Sequence, residues 1–394
     1  MLNRWQQHVF GVIRDGRTDR SWQPDPWFIA AVVFLVALGM LMVASASMAI
    51  AERQFGDPLH YFLRQLGYVI AGTVIALRVL RTELATWQQY GGWLLLLGML
   101  LLVLVLIPGI GREVNGSNRW LPLGVVNVQP SEMAKLCVII FMAGYLVRRG
   151  EELRNSITGF IKPMALLALF GALLLAEPDF GSTIIMVATA MAMMFLGGVR
   201  LWQFAGLMVL AVAAMVLLAV TSPYRMARIT SFTNPWADPF NSGFQLTQSL
   251  IAFGRGEWLG VGLGSSIQKM FYLPEAHTDF LFAVLGEELG FAGVIVVIAA
   301  FMLFVLRSFD IARRAEQGGQ LFAAFLGYGL GLWVGLQALV NMGVNMGVLP
   351  TKGLTLPFMS YGGSSLLVMF AVIGLLLRID YEAPRRSLSA GGRS

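Results

Sequence analysis

Apolar runs of roughly 18 or more residues recur along the chain, each long enough to cross about 30 Å of hydrocarbon as a helix. Open strands cannot satisfy their backbone in lipid, and the period-two alternation of a barrel is absent, so the runs predict helices. The expected spans are residues 27–49, 66–80, 93–107, 131–147, 163–176, 183–196, 204–220, 280–306 and 321–344, with a tenth ending at Leu377. Polar, glycine- and proline-bearing stretches separate them at 51–62, 108–130, 177–182, 222–279 and 345–360, all on one side. In the longest of these, Gln245-Leu246-Thr247-Gln248-Ser249 predicts a short helix. No internal repeat is evident, which argues against the paired-repeat transporter architecture.

Composition agrees with this pattern. The 394 residues are 57% hydrophobic and 13% charged, too little charge to coat a soluble chain of this length. The net charge of +6 is distributed rather than patched. Arg4, Arg14, Arg17 and Arg20 precede the first span; Arg78 with Arg81, Arg148 with Arg149 and Arg154, Arg307 with Arg313 and Arg314, and Arg378 with Arg385 and Arg386 occupy alternate connections. That is the positive-inside pattern, so the basic excess is topology and not a nucleic-acid footprint. The expected fold is an all-α polytopic membrane protein of about ten transmembrane helices, with both termini cytoplasmic and a large extracytoplasmic loop between spans 7 and 8. Residues 1–26 form a cytoplasmic segment, 27–377 a single membrane domain with 222–279 as its large periplasmic loop, and 378–394 a disordered cytoplasmic tail. Cys137 stands alone inside a span and reads as a small buried residue; His8, His60 and His277 are too scattered for a histidine metal site.

Candidate chemistry lies in the outer segments, and each cluster has a plainer reading beside it. Pro130-Ser131-Glu132 is a helix start with a capping oxygen and an acid in the first turn. Lys135, one turn further into an apolar helix, needs a partner, and Glu132 is a candidate. Arg119-Trp120 suits a phosphate beside a sugar face, or an interfacial anchor. Asp179, in Glu177-Pro178-Asp179, caps the next helix or marks a working turn. Arg225, Arg228, Arg255 and Lys269 in the long loop suit anionic headgroups, with Gln245 on the polar side of its short helix. Lys352 is an outer-loop cation, and Ser360 with Gly362-Gly363 can offer hydroxyl and amide groups to an anion, or a close helix contact. The densest cluster runs from Pro274 to Glu288. Asp279 meets the membrane mouth, where a carboxylate suits general-base work, or serves as a helix cap. Glu275 and His277 flank it, and Glu287 with Glu288, two turns deeper, are expected to pair with buried cations such as Lys135.

Taken together, these motifs resemble the SEDS family (shape, elongation, division and sporulation) over almost the whole chain. The resemblance rests on Gly116-Ser117-Asn118-Arg119-Trp120 with Gln129-Pro130-Ser131-Glu132, Pro178-Asp179-Phe180-Gly181, Asn234-Pro235-Trp236-Ala237-Asp238-Pro239, Gln245 to Ser249, Pro274 to Phe280, and Lys352 to Ser365. Val114-Asn115-Gly116 and the Asn234 to Pro239 wording are more similar to the division branch than to the elongation branch. Ser117 and Arg255 depart from the usual pattern. The resemblance implies a peptidoglycan glycosyltransferase of the bacterial inner membrane, acting at the division site. It would polymerise lipid II on the outer leaflet, with undecaprenyl-pyrophosphoryl glycan as donor. The family's essential acid falls on Asp279, its outer-loop tryptophan on Trp120 and its loop lysine on Lys352. Displacing an anionic leaving group needs one base and positive charge, so Asp279 is the expected base, with Arg119, Lys352 or a divalent cation (magnesium or manganese) offsetting the pyrophosphate. The implied partners are a class B penicillin-binding protein, the division transpeptidase, and other single-span division proteins. Two rival readings use the same residues: a lipid II flippase, which needs no base, and a non-catalytic scaffold that recruits the transpeptidase.

Overall fold

The computed structural model describes residues 22–114, 117–123, 126–200, 232–241, 243–350 and 353–383, with isolated positions between 202 and 220. The described elements run α1 (Pro26–Phe55), α2 (His60–Arg81), α3 (Leu84–Leu106), β1 (Arg112–Val114), β2 (Ser117–Leu123), β3 (Val126–Val128), α4 (Pro130–Asn155), α5 (Ile157–Ala176), α6 (Phe180–Leu196), α7 (Phe244–Gly256), α8 (Leu281–Gln317), α9 (Leu321–Asn345) and α10 (Gly363–Glu382). Eight of these helices are long and apolar enough to span a membrane, and α6 is a shorter apolar helix. The expected span at 204–220 lies mostly outside the described residues, as do the leader up to residue 21 and the tail beyond 383. The protein is an all-α polytopic membrane protein.

Burial separates the helices into two groups. In the most apolar stretch of α10, α4 and α9, 83%, 78% and 61% of residues are buried, against 28–39% in α1, α2, α3, α5 and α8. Hence α4, α9 and α10 form the centre, and the others turn a broad apolar face to lipid. Helix α9 packs on α4, α6, α8 and α10, so its polar residues meet most of the bundle. One end of the bundle is basic. There the Asp25 carboxylate caps α1, accepting from the amides of Trp27 (3.1 Å) and Phe28 (3.0 Å), and is also bonded by Arg307. Arg314 reaches Asp380 at 2.9 Å, closing α1, α8 and α10 together. Burial alone would raise the Asp25 pKa, but the Arg307 hydrogen bond, the Phe28 amide and the two guanidinium charges hold it below the usual carboxylate range.

Three local expectations need correction. The stretch 108–130, expected as loop, forms a small antiparallel sheet in the order β1-β2-β3, with Arg112 opposite Trp120 and Leu121 opposite Val128; an Asn115-Gly116 pair between short runs was its readable hairpin signal. Helix α8 continues through the expected inner loop to Gln317, where Arg307 pairs with Asp310 along it and Arg314 with Asp380 across to α10. Pro130 does open α4, but Gln129 holds the cap position without a side-chain bond; Glu132 instead turns inward.

The loop after α7 explains how α8 tolerates a break. Gly290 has φ 64°, and the helical ladder is interrupted there. The carbonyls of Glu287 and Glu288 accept from the amides of Val261 (3.0 Å) and Gly262 (3.1 Å), while Phe291 and Ala292 donate to the carbonyls of Glu257 (2.9 Å) and Trp258 (3.1 Å). Four backbone groups at the break thus find partners in one crossing segment.

Candidate functional site

Opposite the basic end, Asp279 lies half-buried immediately before α8. Its capping alternative is not used, because Phe280 occupies the cap position of α8 and no side chain caps it. What holds Asp279 is α9. That helix carries Trp333, Gln337, Asn341 and Asn345 at four-residue spacing, all buried on one face. Asn341 and Asn345 each donate a side-chain N–H to the Asp279 carbonyl, at 2.9 and 3.0 Å. Asn341 also donates to the Leu354 carbonyl at 2.5 Å, and Gln337 to the Thr355 carbonyl at 3.1 Å. This amide ladder escaped the sequence reading, although the four-residue spacing of polar groups inside an apolar span was visible.

The ladder ends on Lys135, whose Nζ donates to Gln337 Oε1 at 2.9 Å and to Glu132 Oε1 at 2.8 Å. The ammonium also lies 5.2 Å from the Trp333 ring centroid. Glu132 is therefore the partner of Lys135, as its spacing suggested. Both are buried, so removing one leaves an uncompensated charge. Lys135→Met is expected to lose about 3–5 kcal/mol. Thermal unfolding in detergent checks this, and adding Glu132→Gln should recover most of the loss.

A second wall comes from the turn before α10. Ser360, buried, donates its hydroxyl to the Thr278 carbonyl at 2.6 Å and accepts from the Leu356 amide at 2.9 Å. The Tyr361 amide donates to the His277 carbonyl at 2.9 Å. A Cβ built on Gly353 would come within 3.2 Å of Asp279 Oδ2, so this extended loop segment runs against the carboxylate. His277 is buried between Tyr61 (4.7 Å between centroids) and Tyr361 (5.6 Å), and burial lowers its pKa, keeping the ring neutral near pH 7. Glu275 is exposed and accepts from the Thr278 hydroxyl at 2.7 Å.

Glu287 and Glu288 do not meet Lys135. Glu287 binds Arg255 (3.1 Å), the Ser266 hydroxyl and the amides of Ile267 (3.0 Å) and Gln268 (3.2 Å). Glu288 binds Lys269 (2.7 Å) and Ser45 (2.7 Å). Ser266, Ile267, Gln268 and Lys269 come from the loop that crosses the α8 break, Arg255 from the last turn of α7 and Ser45 from α1. Lys269, expected on the substrate face, is consequently buried in an ion pair. Gln245 is half-buried in the first turn of α7. Arg225 and Lys352 lie outside the described residues.

The hairpin reaches the same end of the bundle. Arg119, on β2, donates to the carbonyls of Glu177 (3.1 Å) and Pro178 (2.5 Å), tying the sheet to the α5–α6 turn, with half-buried Trp120 beside it. Asp179 caps α6 by accepting from the Ser182 amide at 3.1 Å. Glu177, just beyond α5, is fully buried, and neither carboxyl oxygen has a hydrogen-bond partner among the described residues. Burial, then the neighbouring Asp179 charge, push its pKa up to about 9, against the smaller opposing effect of Arg119. The folded state then keeps a proton that the unfolded chain releases above its ordinary carboxylate pKa. Stability from this group is therefore lost as pH rises through that window. Glu177→Gln is expected to raise the unfolding temperature more at about pH 8.5 than at about pH 5.5, by up to a few kcal/mol in stability. A gain independent of pH would contradict the assignment.

Among the described residues, no three His, Cys, Asp or Glu side chains converge as a metal ligand set. The site is instead one half-buried carboxylate, gripped at its backbone by buried amides, faced by a glycine-containing loop segment and flanked by a neutral histidine among tyrosines.

Comparison with known proteins gives one consistent answer. The family model for cell cycle proteins FtsW, RodA and SpoVE matches residues 26–385. The chain is 58% identical over 360 residues to "Probable peptidoglycan glycosyltransferase FtsW" of Nitrosococcus halophilus, covering 91% of this chain and 93% of that one. It is 55% identical over 362 residues to the protein of the same description from Coxiella burnetii, covering 92% and 97%. Among solved structures it is similar to a chain from work on the structural coordination of polymerization and crosslinking by a peptidoglycan synthase complex (TM-score 0.75, 28% identity, 92% and 98% covered). It is also similar to the rod shape determining protein RodA of Thermus thermophilus (TM-score 0.69, 26% identity, 92% and 98% covered).

Proposed function

The chain belongs to the FtsW/RodA/SpoVE family of cell cycle proteins, and from that premise we propose that it joins lipid II units into glycan strands at the outer leaflet, with Asp279 as general base. It is a peptidoglycan glycosyltransferase and a multi-pass bacterial membrane protein. The observation that carries the assignment of the base is the seating of Asp279. Its backbone is fixed by two buried amides while the residue stays half-buried immediately before α8.

In the transfer, the acceptor sugar hydroxyl attacks C1 of the donor glycan, and the C1–O bond to the polyprenyl pyrophosphate breaks. Asp279 takes the hydroxyl proton, and the leaving group departs already anionic, so no second carboxylate is required to protonate it. Lys352, one residue along the chain from Gly353, supplies positive charge toward the pyrophosphate. Arg119 binds the carbonyls of Glu177 and Pro178, so its contribution is to hold Trp120 and the hairpin against the α5–α6 turn. A divalent cation, magnesium or manganese, would supply further positive charge to offset the departing pyrophosphate. The partner is a class B penicillin-binding protein, and the enzyme acts at the division site; the similarity to a peptidoglycan synthase complex chain supports the first and the relatives' names the second.

Purified protein in liposomes containing lipid II should yield polymerised glycan, resolved by gel after detergent extraction. Lipid II that crosses the bilayer without any polymer would overturn the proposal in favour of a flippase.

A further inference from the structure

We propose that Asn341 is a positioning residue for the transfer, a clamp that sets the Asp279 carboxylate against the Gly353–Leu354 loop segment. The inference rests on Asp279 being the base and adds how that base is aimed.

A primary amide offers two N–H donors, and in Asn341 both are committed to main-chain carbonyls, those of Asp279 (2.9 Å) and Leu354 (2.5 Å). Because both partners are carbonyls, the side-chain nitrogen must face them, which fixes the orientation of the amide. Asn345 adds a second donor to the Asp279 carbonyl at 3.0 Å, filling both lone pairs of that oxygen. Its own Oδ1 accepts from the Ala283 amide at 3.1 Å, in the first turn of α8, where α8 has no cap of its own. The peptide plane after Asp279 is thereby held from α9, and with it the direction in which the carboxylate leaves the chain.

The three rungs divide the work. Gln337 grips the loop alone, at the Thr355 carbonyl. Asn345 grips the acid and α8, and Asn341 grips acid and loop together. Through Gly353, whose Cβ position lies 3.2 Å from Asp279 Oδ2, the Asn341 bond pair sets the gap between the carboxylate and the facing loop segment. Ser360 repeats the tie one residue earlier, from its hydroxyl to the Thr278 carbonyl at 2.6 Å. The donating side chains Gln337, Asn341, Asn345 and Ser360 are buried, so water does not replace a lost bond cheaply.

Steady-state polymerisation by Asn341→Ala, Asn345→Ala, Gln337→Ala and Asp279→Asn tests this, alongside lipid II binding and thermal unfolding for each. Misplacing a reacting group by about 1 Å costs on the order of 100-fold in rate. Asn341→Ala should therefore lower kcat about 100-fold, with KM and lipid II affinity within about three-fold of the parent. Asn345→Ala should lower kcat about ten-fold, and Gln337→Ala less. Asn341→Asp should be worse than Asn341→Ala, since it turns a carboxylate oxygen toward two carbonyls. A folded Asn341→Ala protein with kcat within about three-fold of the parent overturns the clamp, as does activity that falls only in step with the folded fraction. Should Asn341→Ala not fold, Asn345→Ala carries the same test at the same carbonyl. The two layers separate cleanly: an active Asp279→Asn removes the base, whereas an inactive Asp279→Asn with a fully active Asn341→Ala removes the clamp alone.

Discussion

Asp279→Asn is expected to abolish glycan strand formation, lowering turnover by at least about 1,000-fold, while lipid II binding and the unfolding temperature change little. The substitution keeps the size and planarity of the side chain and removes the ability to accept a proton. The bonds from Asn341 and Asn345 go to the main-chain carbonyl, which the substitution leaves in place. Folding and binding should therefore survive where chemistry does not. Asp279→Glu gives a sharper geometric test. Its extra methylene shifts the carboxylate from the position it holds opposite Gly353, and should leave a small residual activity, on the order of 1%. Gel-resolved polymer from purified protein in liposomes reads both variants. Full activity of Asp279→Asn would end the base assignment, whatever Asp279→Glu does.

The spans were readable because lipid imposes a simple rule: long apolar runs punctuated by arginine on alternate sides. The family match over residues 26–385 agrees with the resemblance read from residues 27–377. Helix ends were less readable. The basic end of α8 looked like a loop because its charges signal topology, yet Arg307 and Arg314 find carboxylates and stay helical to Gln317. Asp279 stood out because a carboxylate at a membrane mouth is conspicuous by type. Its anchors did not, since Gln337, Asn341 and Asn345 are uncharged and a hydropathy pattern absorbs them into an apolar span. The partner of Glu287 and Glu288 was misjudged for a different reason. Lys135 was the most conspicuous buried cation, whereas Arg255 and Lys269 reach these acids only because α7 and the following loop fold back along α8. That return depends on contacts between glycines, which periodicity does not encode.

Those glycines define the variant with the largest expected effect on stability. Gly290→Ala is expected to unfold the protein or cost more than about 3 kcal/mol, because two independent penalties fall on one atom. At φ 64° a side chain is disfavoured before any neighbour is considered, and the new Cβ would lie 2.3 Å from the Gly260 amide nitrogen and 2.7 Å from that of Leu259. Backbone cannot move aside there as a flexible side chain could. The crossing segment would have to withdraw, orphaning the four backbone bonds at Glu287, Glu288, Phe291 and Ala292 and loosening the Arg255 and Lys269 ion pairs with Glu287 and Glu288. Gly260→Ala should behave alike, since its Cβ would meet the Glu288 carbonyl oxygen at 2.1 Å, again at positive φ. By contrast, Gly92→Ala, in α3 with nothing within 4 Å of the added atom, should be neutral or slightly stabilising through helix propensity. Detergent-solubilised yield and thermal unfolding, compared across the three variants, decide the matter. A Gly290→Ala protein as stable as Gly92→Ala would mean that the loop after α7 does not lie against α8, and that Glu287 and Glu288 draw their partners from elsewhere.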